Sequence, residues 1–319
     1  MEASGKPATV LVNVFNGAGA KVFSQSVSLA AGEQKQLNSF LGANGITLAD
    51  GRIEVQVTDG DGRITAYASR VDNATGDPLL VTGTPLNAAA STRYVLPGVA
   101  ALNTGFANWQ SDVRVFNPGT TPVTATLTYY PQNNSGAPSS TAVTLDPGET
   151  KQFDNVLQSL FGIANSGGAL HVNTPAPANF LVSGRTFNQT PAGTFGQFIP
   201  AVTPAEAIGA GGNSLQILQA EESVRYRTNV GIAEVNGKAA EVELSIFIPG
   251  SKTVARTTFT LGANEFRQYN VIHDIGMENI YNARIQVRVL SGDGKVSAYG
   301  SVIDMQTQDP TFVPAQVAQ

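Results

Sequence analysis

The chain of 319 residues has two histidines and no cysteine, so acid–base and metal chemistry must be sought among His171, His273 and the carboxylates. His171 lies in the alternating run GALHVN and His273 in VIHDIG. Neither has a second histidine at metal-ligand spacing, and no G-x-S-x-G elbow sets a serine nucleophile beside either. Without cysteine there are no disulfides, no thiolate nucleophiles and none of the usual zinc clusters. The run TDGDG at 58–62 brings Asp59 and Asp61 together as the opening of a calcium loop does. Position 12 counted from Asp59 is Arg70, where an EF-hand needs a bidentate glutamate. Asp59 and Asp61 are therefore calcium candidates only with help from a neighbouring loop, and an Asp-Gly hairpin turn accounts for the same residues. Asp72 and Asp77 in DNATGDP match Asp304 and Asp309 in DMQTQDP. Carboxylates five apart suit acid–base work, and Asp-Pro suits a turn. Asn188 and Gly193 stand at about these places in the middle of the chain, which favours the turn.

The run DPGETKQFDN at 146–155 looks most like a motif, and it occurs three times, with AGEQKQLN at 31–38 and ANEFRQYN at 263–270. Glu33, Glu149 and Glu265 are 116 residues apart both times. A catalytic motif is rarely present in triplicate, whereas a fixed period marks a repeat architecture. Pro147-Gly148 forms a turn. The three glutamates are then expected on a strand face, with Phe153 inward and Leu37 and Tyr269 in its place. Asn38, Asp154 and Asn270 are expected to N-cap one short helix each, closed by the glycines of SFLG, NVLQSLFG and VIHDIG.

These motifs must be held by a largely uncharged framework. Hydrophobic residues make up 42% of the chain, enough for cores, and charged residues only 13%, about half the usual share of roughly 25%. The surface is built from Thr, Ser, Asn, Gln, Gly and Ala. A net charge of −5 leaves no basic stripe for a nucleic acid, and RYR at 225–227 fits the solvent face of a strand. No apolar run approaches the roughly 18 residues of a membrane span. The polar start MEASGKPATV is not a signal peptide. The expectation is an exported chain whose signal has been removed, located outside the cell or on its surface. No cofactor is implied.

At roughly 100–150 residues per domain, the period divides the chain into modules at 1–84, 85–203 and 204–319. The connectors TPLNAAAST (84–92) and TPAEAIGAGGN (203–213) are rich in Ala, Gly and Pro. Each module is read as opening on an alternating strand: ATVLVNVFN at 8–16, SDVRVFNPG at 111–119 and TNVGIAEVNG at 228–237. A second strand, the glutamate motif and a closing hairpin follow. That hairpin spans 51–72 in the first module and 283–304 in the third, each around Asp-Gly. A last strand ends the module. About seven short strands per module with almost no helix predict an all-β fold of three tandem Ig-like antiparallel β-sandwiches.

One asymmetry bears on function. The apolar runs RYVLPGVAAL (93–102) and SLQILQAEE (214–222) precede the second and third modules, and nothing comparable precedes the first. Trp109 and Tyr226 match each other where the first module has Lys6. The first module either lacks a strand or has its sheet closed by the short N-terminus, and the first of these bears on function. That would expose an edge near Val10 and Val12 for another chain to fill by strand addition. The C-terminal residues Phe312, Val313, Pro314 and Ala315 are the expected donor, in head-to-tail filaments.

The run SDVRVFNPGTTPVTATLTYYP, followed by LDPGETKQFDNVL, resembles the tandem Ig-like modules of bacterial secreted and cell-surface proteins. The resemblance covers essentially the whole chain as a threefold repeat. It implies an extracellular role in structure, adhesion or presentation and carries no catalytic residue over. A non-enzymatic scaffold, self-associating by strand addition, is the expected function. The alternative is an adhesin-like module for a surface protein or glycan, with Trp109 and Tyr226 as ligand candidates and Phe106, Tyr129 and Tyr130 as further aromatics.

Overall fold

The structure is a computed structural model and describes residues 1–86, 89–250 and 254–318; residues 87 and 88 of the first connector lie outside the described residues. Short alternating runs closed by Gly, Asn and Pro make the strands. The first third contains β1 (Ala8–Asn16), β2 (Lys21–Leu29), one helical turn α1 (Phe40–Ala43), β3 (Gly51–Gly60), β4 (Tyr67–Val71) and β5 (Pro78–Thr82). The middle third contains β6 (Ser91–Asn103), β7 (Asn108–Phe116), β8 (Val123–Pro131), β9 (Ser139–Leu145), β10 (Thr150–Phe153), α2 (Val156–Phe161), β11 (Ser166–Ala178), β12 (Leu181–Thr190) and β13 (Gly193–Pro200). The last third contains β14 (Ser214–Glu222), β15 (Tyr226–Glu234), β16 (Ala240–Phe247), β17 (Val254–Leu261), β18 (Phe266–Tyr269), α3 (Val271–Asp274), β19 (Ile280–Gly292), β20 (Val296–Asp304), β21 (Pro310–Pro314) and β22 (Gln316–Ala318). Among the described residues no helix is long and apolar enough to cross a membrane.

The fold is all-β, in several antiparallel sheets layered like sandwiches. The last third has two sheets, β17-β16-β19-β14-β22 and β18-β15-β20-β21. Ile217, Leu244, Ile285 and Val287 of the first sheet share one buried cluster with Val230, Ile232 and Val296 of the second. Burying each such side chain contributes about 1.5–3 kcal/mol. The middle third repeats both orders, as β9-β8-β11-β6 and β10-β7-β12-β13. Pairing of Leu102 in β6 with Trp109 in β7 joins them into one sheet. The first third has only β2-β1-β3 and β4-β5.

The glutamate motif is a turn lock. The carboxylates of Glu33, Glu149 and Glu265 accept the backbone N–H of Ala30, Asp146 and Gly262, three residues earlier. Their own N–H groups donate to the carbonyls of the same three residues. The cation two positions later, Lys35, Lys151 or Arg267, pairs with each carboxylate. The helix caps match expectation at Asn270 and lie one residue later than Asn38 and Asp154 in the other two helices. Ser39 and Asn155, both at positive φ, cap α1 and α2, and Asn270 caps α3, none with a side-chain bond. Asp154 instead accepts a hydrogen bond from Arg114 Nη2.

Two strand assignments are corrected. The Asp-Gly stretches do not close hairpins, because β3 and β4, like β19 and β20, lie in different sheets. The glycines serve close backbone approach at the crossing between sheets: a Cβ on Gly62 or Gly294 would lie 2.4 Å from the carbonyl oxygen of Lys6 or Lys238. The second correction concerns β1. Ala8 pairs with Leu29 and Gly60, and Ala240 pairs with Leu261 and Gly292, each member two periods from its counterpart. Thus β1, β2 and β3 correspond to β16, β17 and β19, and β1 does not correspond to β7 or β15. Period-2 alternation is common to all half-buried strands, so it could not reveal a slip of a whole strand. Counterparts of both β14 and β15 are therefore missing from the described first third, where a single missing strand was expected.

Gly294→Ala should lower the unfolding free energy by about 1–3 kcal/mol, because a close-packed backbone contact has to open. Gly42→Ala, in α1 with open space around it, should be neutral or slightly stabilising. Urea unfolding of both variants checks the pair.

Candidate interaction surface

The absent counterparts leave a gap bounded by β3, β4 and residues 34–37, which form no strand although their counterpart β18 pairs with β15. Apolar residues facing the gap are uncovered, while residues 232 positions later are buried. Ile53 is 45% exposed and Ile285 is 0%. Val55 and Val57 are half-buried, whereas Val287 and Val289 are core residues. Tyr67 is 57% exposed and Tyr299 is 3%. Tyr299 is covered partly by β15 and partly by Val95 and Ala169 of the middle third. On its open side, β4 carries no strand.

Met1 and Glu2 hold the end of the gap in register. The N–H of Glu2 donates to the Glu33 carbonyl at 2.9 Å, as the N–H of Glu234 donates to the Glu265 carbonyl at 2.9 Å. Met1 exchanges backbone hydrogen bonds with Thr65, the pairing that Ala233 makes with Ser297 in β15–β20. The buried Glu2 carboxylate accepts N–H groups from Ser4, Gly5, Lys6, Gly32 and Arg63. These donors, the Gly32 amide first, hold its carboxyl down at about 2. Glu234 likewise accepts from Asn236, Gly237 and Asn264. The sequence reading overlooked this carboxylate; its signal was the position of Glu2 two periods before Glu234.

The first third is clamped to the middle by polar contacts. The Asp72 carboxylate accepts from the Thr194 N–H at 2.9 Å and from its hydroxyl, and Asp77 Oδ2 accepts from the Gly196 N–H at 2.8 Å. These bonds, the Thr194 hydroxyl first, hold the Asp72 carboxyl far below its usual range. Arg114 pairs with Asp50 at 3.0 Å, and Arg52 lies over the rings of Phe15 and Phe116. Asp309, at the matching turn of the last third, is pushed up to about 6 by burial, with the charges of Asp77 and Asp304 adding to it. The matched aspartates thus serve turns and docking. Arg93 Nη1 donates to Asn264 Oδ1 at 3.0 Å, joining middle and last thirds.

The sequence candidates fall at scattered places. Val10 and Val12 are buried in β1, which is paired on both sides, so they are core and not edge. Phe312, Val313 and Pro314 form β21 against β20, with Phe312 stacked on Tyr299, and Ala315 links β21 to β22. The expected donor is thus occupied within its own sheet. Asp59 pairs with Thr9 at the end of β3, and Asp61 follows in the turn beside Lys6. Among the described residues no three His, Cys, Asp or Glu side chains form a metal-holding group. Trp109 and Tyr226 are half-buried at matching starts of β7 and β15. Tyr129 is fully buried, while Phe106 is 91% exposed and Val224 93% in the connections β6–β7 and β14–β15. His171 is sealed in β11 against the Tyr130 ring, with both ring nitrogens unpartnered. Burial, then the Arg93 charge, drives its pKa down to about 3. His273 is apart from it, exposed in α3.

No family model matches the chain, and no curated protein matches it. Among solved structures, that of Thermotoga maritima 1070 aligns over 35% of this chain and 94% of its own at 10% identity. Its TM-score of 0.29 is too low to speak for the fold.

Two pH effects follow. His171 is neutral in the folded chain and protonates near 6.5 when unfolded, so stability is full above pH 6.5 and lost as pH falls toward 3. Between pH 6.5 and 4.5 this site should cost roughly 2–3 kcal/mol. Denaturant midpoints of His171→Leu should therefore fall less than wild type over that window. Asp309 has the opposite sign: its raised pKa is a penalty present above pH 6 that vanishes as pH falls through 3.8. Asp309→Asn should add about 1 kcal/mol at pH 8, after discounting for solvent screening of a half-exposed group, and nothing at pH 3. Thermal melts at both pH values measure it.

Proposed function

We propose that the chain is a non-enzymatic extracellular structural protein, a row of three tandem immunoglobulin-like β-sandwich units divided near residues 84 and 203. Association with another chain by strand addition belongs to the same reading. The observation that carries this reading is the repetition itself: the middle and last thirds share both sheet orders, and one turn lock recurs three times along the chain. The repeated motif supports it, since it locks turns in all three units and positions no reactive group. The charge-poor composition suits a surface exposed outside the cell. Self-assembly by donation of Phe312 to Ala315 is disfavoured, because these residues would have to leave their pairing and packing beside β20. Binding of a glycan or protein ligand is a second reading, favoured by the matching exposure of Phe106 and Val224 at the β6–β7 and β14–β15 connections.

Protease treatment of intact producing cells, followed by crosslinking of untreated ones, tests the role. The expected result is removal of the chain with cytosolic markers retained, and a crosslinked complex that disappears when residues 1–84 are deleted. A chain protected in intact cells, or a complex indifferent to the deletion, would reject it.

A further inference from the structure

The middle and last thirds meet through a joint of their own. Val95 of β6 and Ala169 of β11 share a buried cluster with Ala233, Val235, Phe266 and Tyr299 of the last third. The fit is close: a Cβ on Gly98, at φ +116°, would lie 2.5 Å from the Tyr299 hydroxyl. Arg93 supplies a polar tie across the joint, donating from Nη1 to Asn264 Oδ1 at 3.0 Å.

His171 sits on this joint face and not in the core of the middle third. Leu170 and Val172 point into that core, so alternation along β11 puts His171 beside Ala169 on the other side. Its partner across β6 is Val95, a member of the joint cluster. The ring is fully buried against Tyr130, centroids 4.6 Å apart, and among the described residues neither nitrogen has a hydrogen-bond partner. The matching positions carry paired polar groups instead. Val172 pairs with Leu127 as Val287 pairs with Leu244, so His171 matches Gln286, and Glu54 two periods before that. Gln286 donates to Ser214, and Glu54 pairs with Arg52.

A charged imidazole at this place would find no counter-ion. Arg93 of β6 bears on the ring as a like charge, and Tyr130 of β8 lies against it. Residues 132–134, which touch both β11 and β18, carry no charge. Across the joint, Glu234 of β15 is occupied by the N–H groups of Asn236, Gly237 and Asn264. Glu265 beside β18 is occupied by Gly262 and Arg267, and Glu206 of the connector by Thr203. Tyr299 of β20, its phenol pushed up by burial, stays neutral. Burying an unpaired charge is costly. Parting the two thirds would hydrate the ring and leave the pairing of β11 intact, because its neighbours β6 and β8 both belong to the middle third.

We propose that His171 is a proton-sensitive latch on the joint between the middle and last thirds. When the ring takes a proton the two faces part, and each third keeps its fold. This goes beyond the scaffold reading and does not depend on it. A hydrated imidazole titrates near 6.5, whereas burial first, then Arg93, holds this one at about 3 in the closed joint. Closure is therefore at full strength above pH 6.5 and weakens as pH falls toward 3. From pH 6.5 to 4.5 the opening constant should rise roughly fifty-fold.

The chain has no cysteine, so single introduced thiols can read the opening. Ala169→Cys places one in the joint, and Ala125→Cys places one in the core of the middle third. Labelling of the whole chain by dithiodipyridine is followed from pH 6.5 to 4.5, each rate divided by that of a short cysteine peptide at the same pH. The relative rate at position 169 should rise roughly fifty-fold and stay well above that at 125. Adding His171→Leu should remove the rise. Ala233→Cys reads the same opening from the opposite face where Ala169→Cys disturbs folding. Equal relative rates at 169 and 125 overturn the latch, since both thiols are then exposed only by unfolding of the middle third. A rise at 169 that survives His171→Leu overturns His171 as the titrating group. A relative rate at 169 that stays flat with pH overturns the proton sensitivity itself.

Discussion

A β-strand is stable in water only when its edge hydrogen bonds and its apolar face are both accounted for. In the last third each half of that requirement is met for the inner strands. β19 lies between β16 and β14, β20 lies between β15 and β21, and the apolar faces of the two sheets close on each other. In the first third neither half is met. β1 is satisfied on both sides, but its neighbour β3 and the strand β4 each end in an open edge, and the face of β3 looks across a gap. The rest of the first third follows from this. Residues 34–37 carry the same motif as β18 and form no strand, and no strand lies where β15 pairs with β18.

How, then, does the first third hold its shape? Its main core cluster has three fully buried members, Val10, Val12 and Leu29. The corresponding cluster of the last third has nineteen. A core of that size is too small to sustain a unit of this length alone. The remainder comes from outside the core. Glu2 gathers five backbone amides from three separate stretches, and Asp72 and Asp77 bind the backbone of β13. Hydrogen bonds to a carboxylate are worth more than neutral ones, and these tie loops in place where apolar packing is thin.

The sequence displayed the period and the strand content clearly, because the three glutamates recur without insertion between them. It was less informative about which strands correspond. Residues 8–16 alternate as well as residues 111–119 do, and alternation does not distinguish an edge strand from its neighbour in the other sheet. The glutamate spacing applied rigidly would have placed Ala8 beside Thr124 in β8, and so revealed two absent strands. The Asp-Gly turns misled for a related reason. A hairpin and a crossing between sheets both need glycine where backbone comes close, and only the partner of each flanking strand separates them. Glu2 was hidden by its place at the chain's start, where a polar residue is ordinarily solvent-exposed.

The same accounting applies to the motif that looked most chemical. A carboxylate used as acid, base or metal ligand needs free lone pairs directed into an accessible space. Glu33, Glu149 and Glu265 spend theirs on an amide three residues back and a cation two residues on. Repetition makes the point stronger, since a device serving one turn must appear once in every unit. The gap has the opposite character. It leaves apolar side chains such as Ile53 and Tyr67 uncovered and the edges of β3 and β4 open.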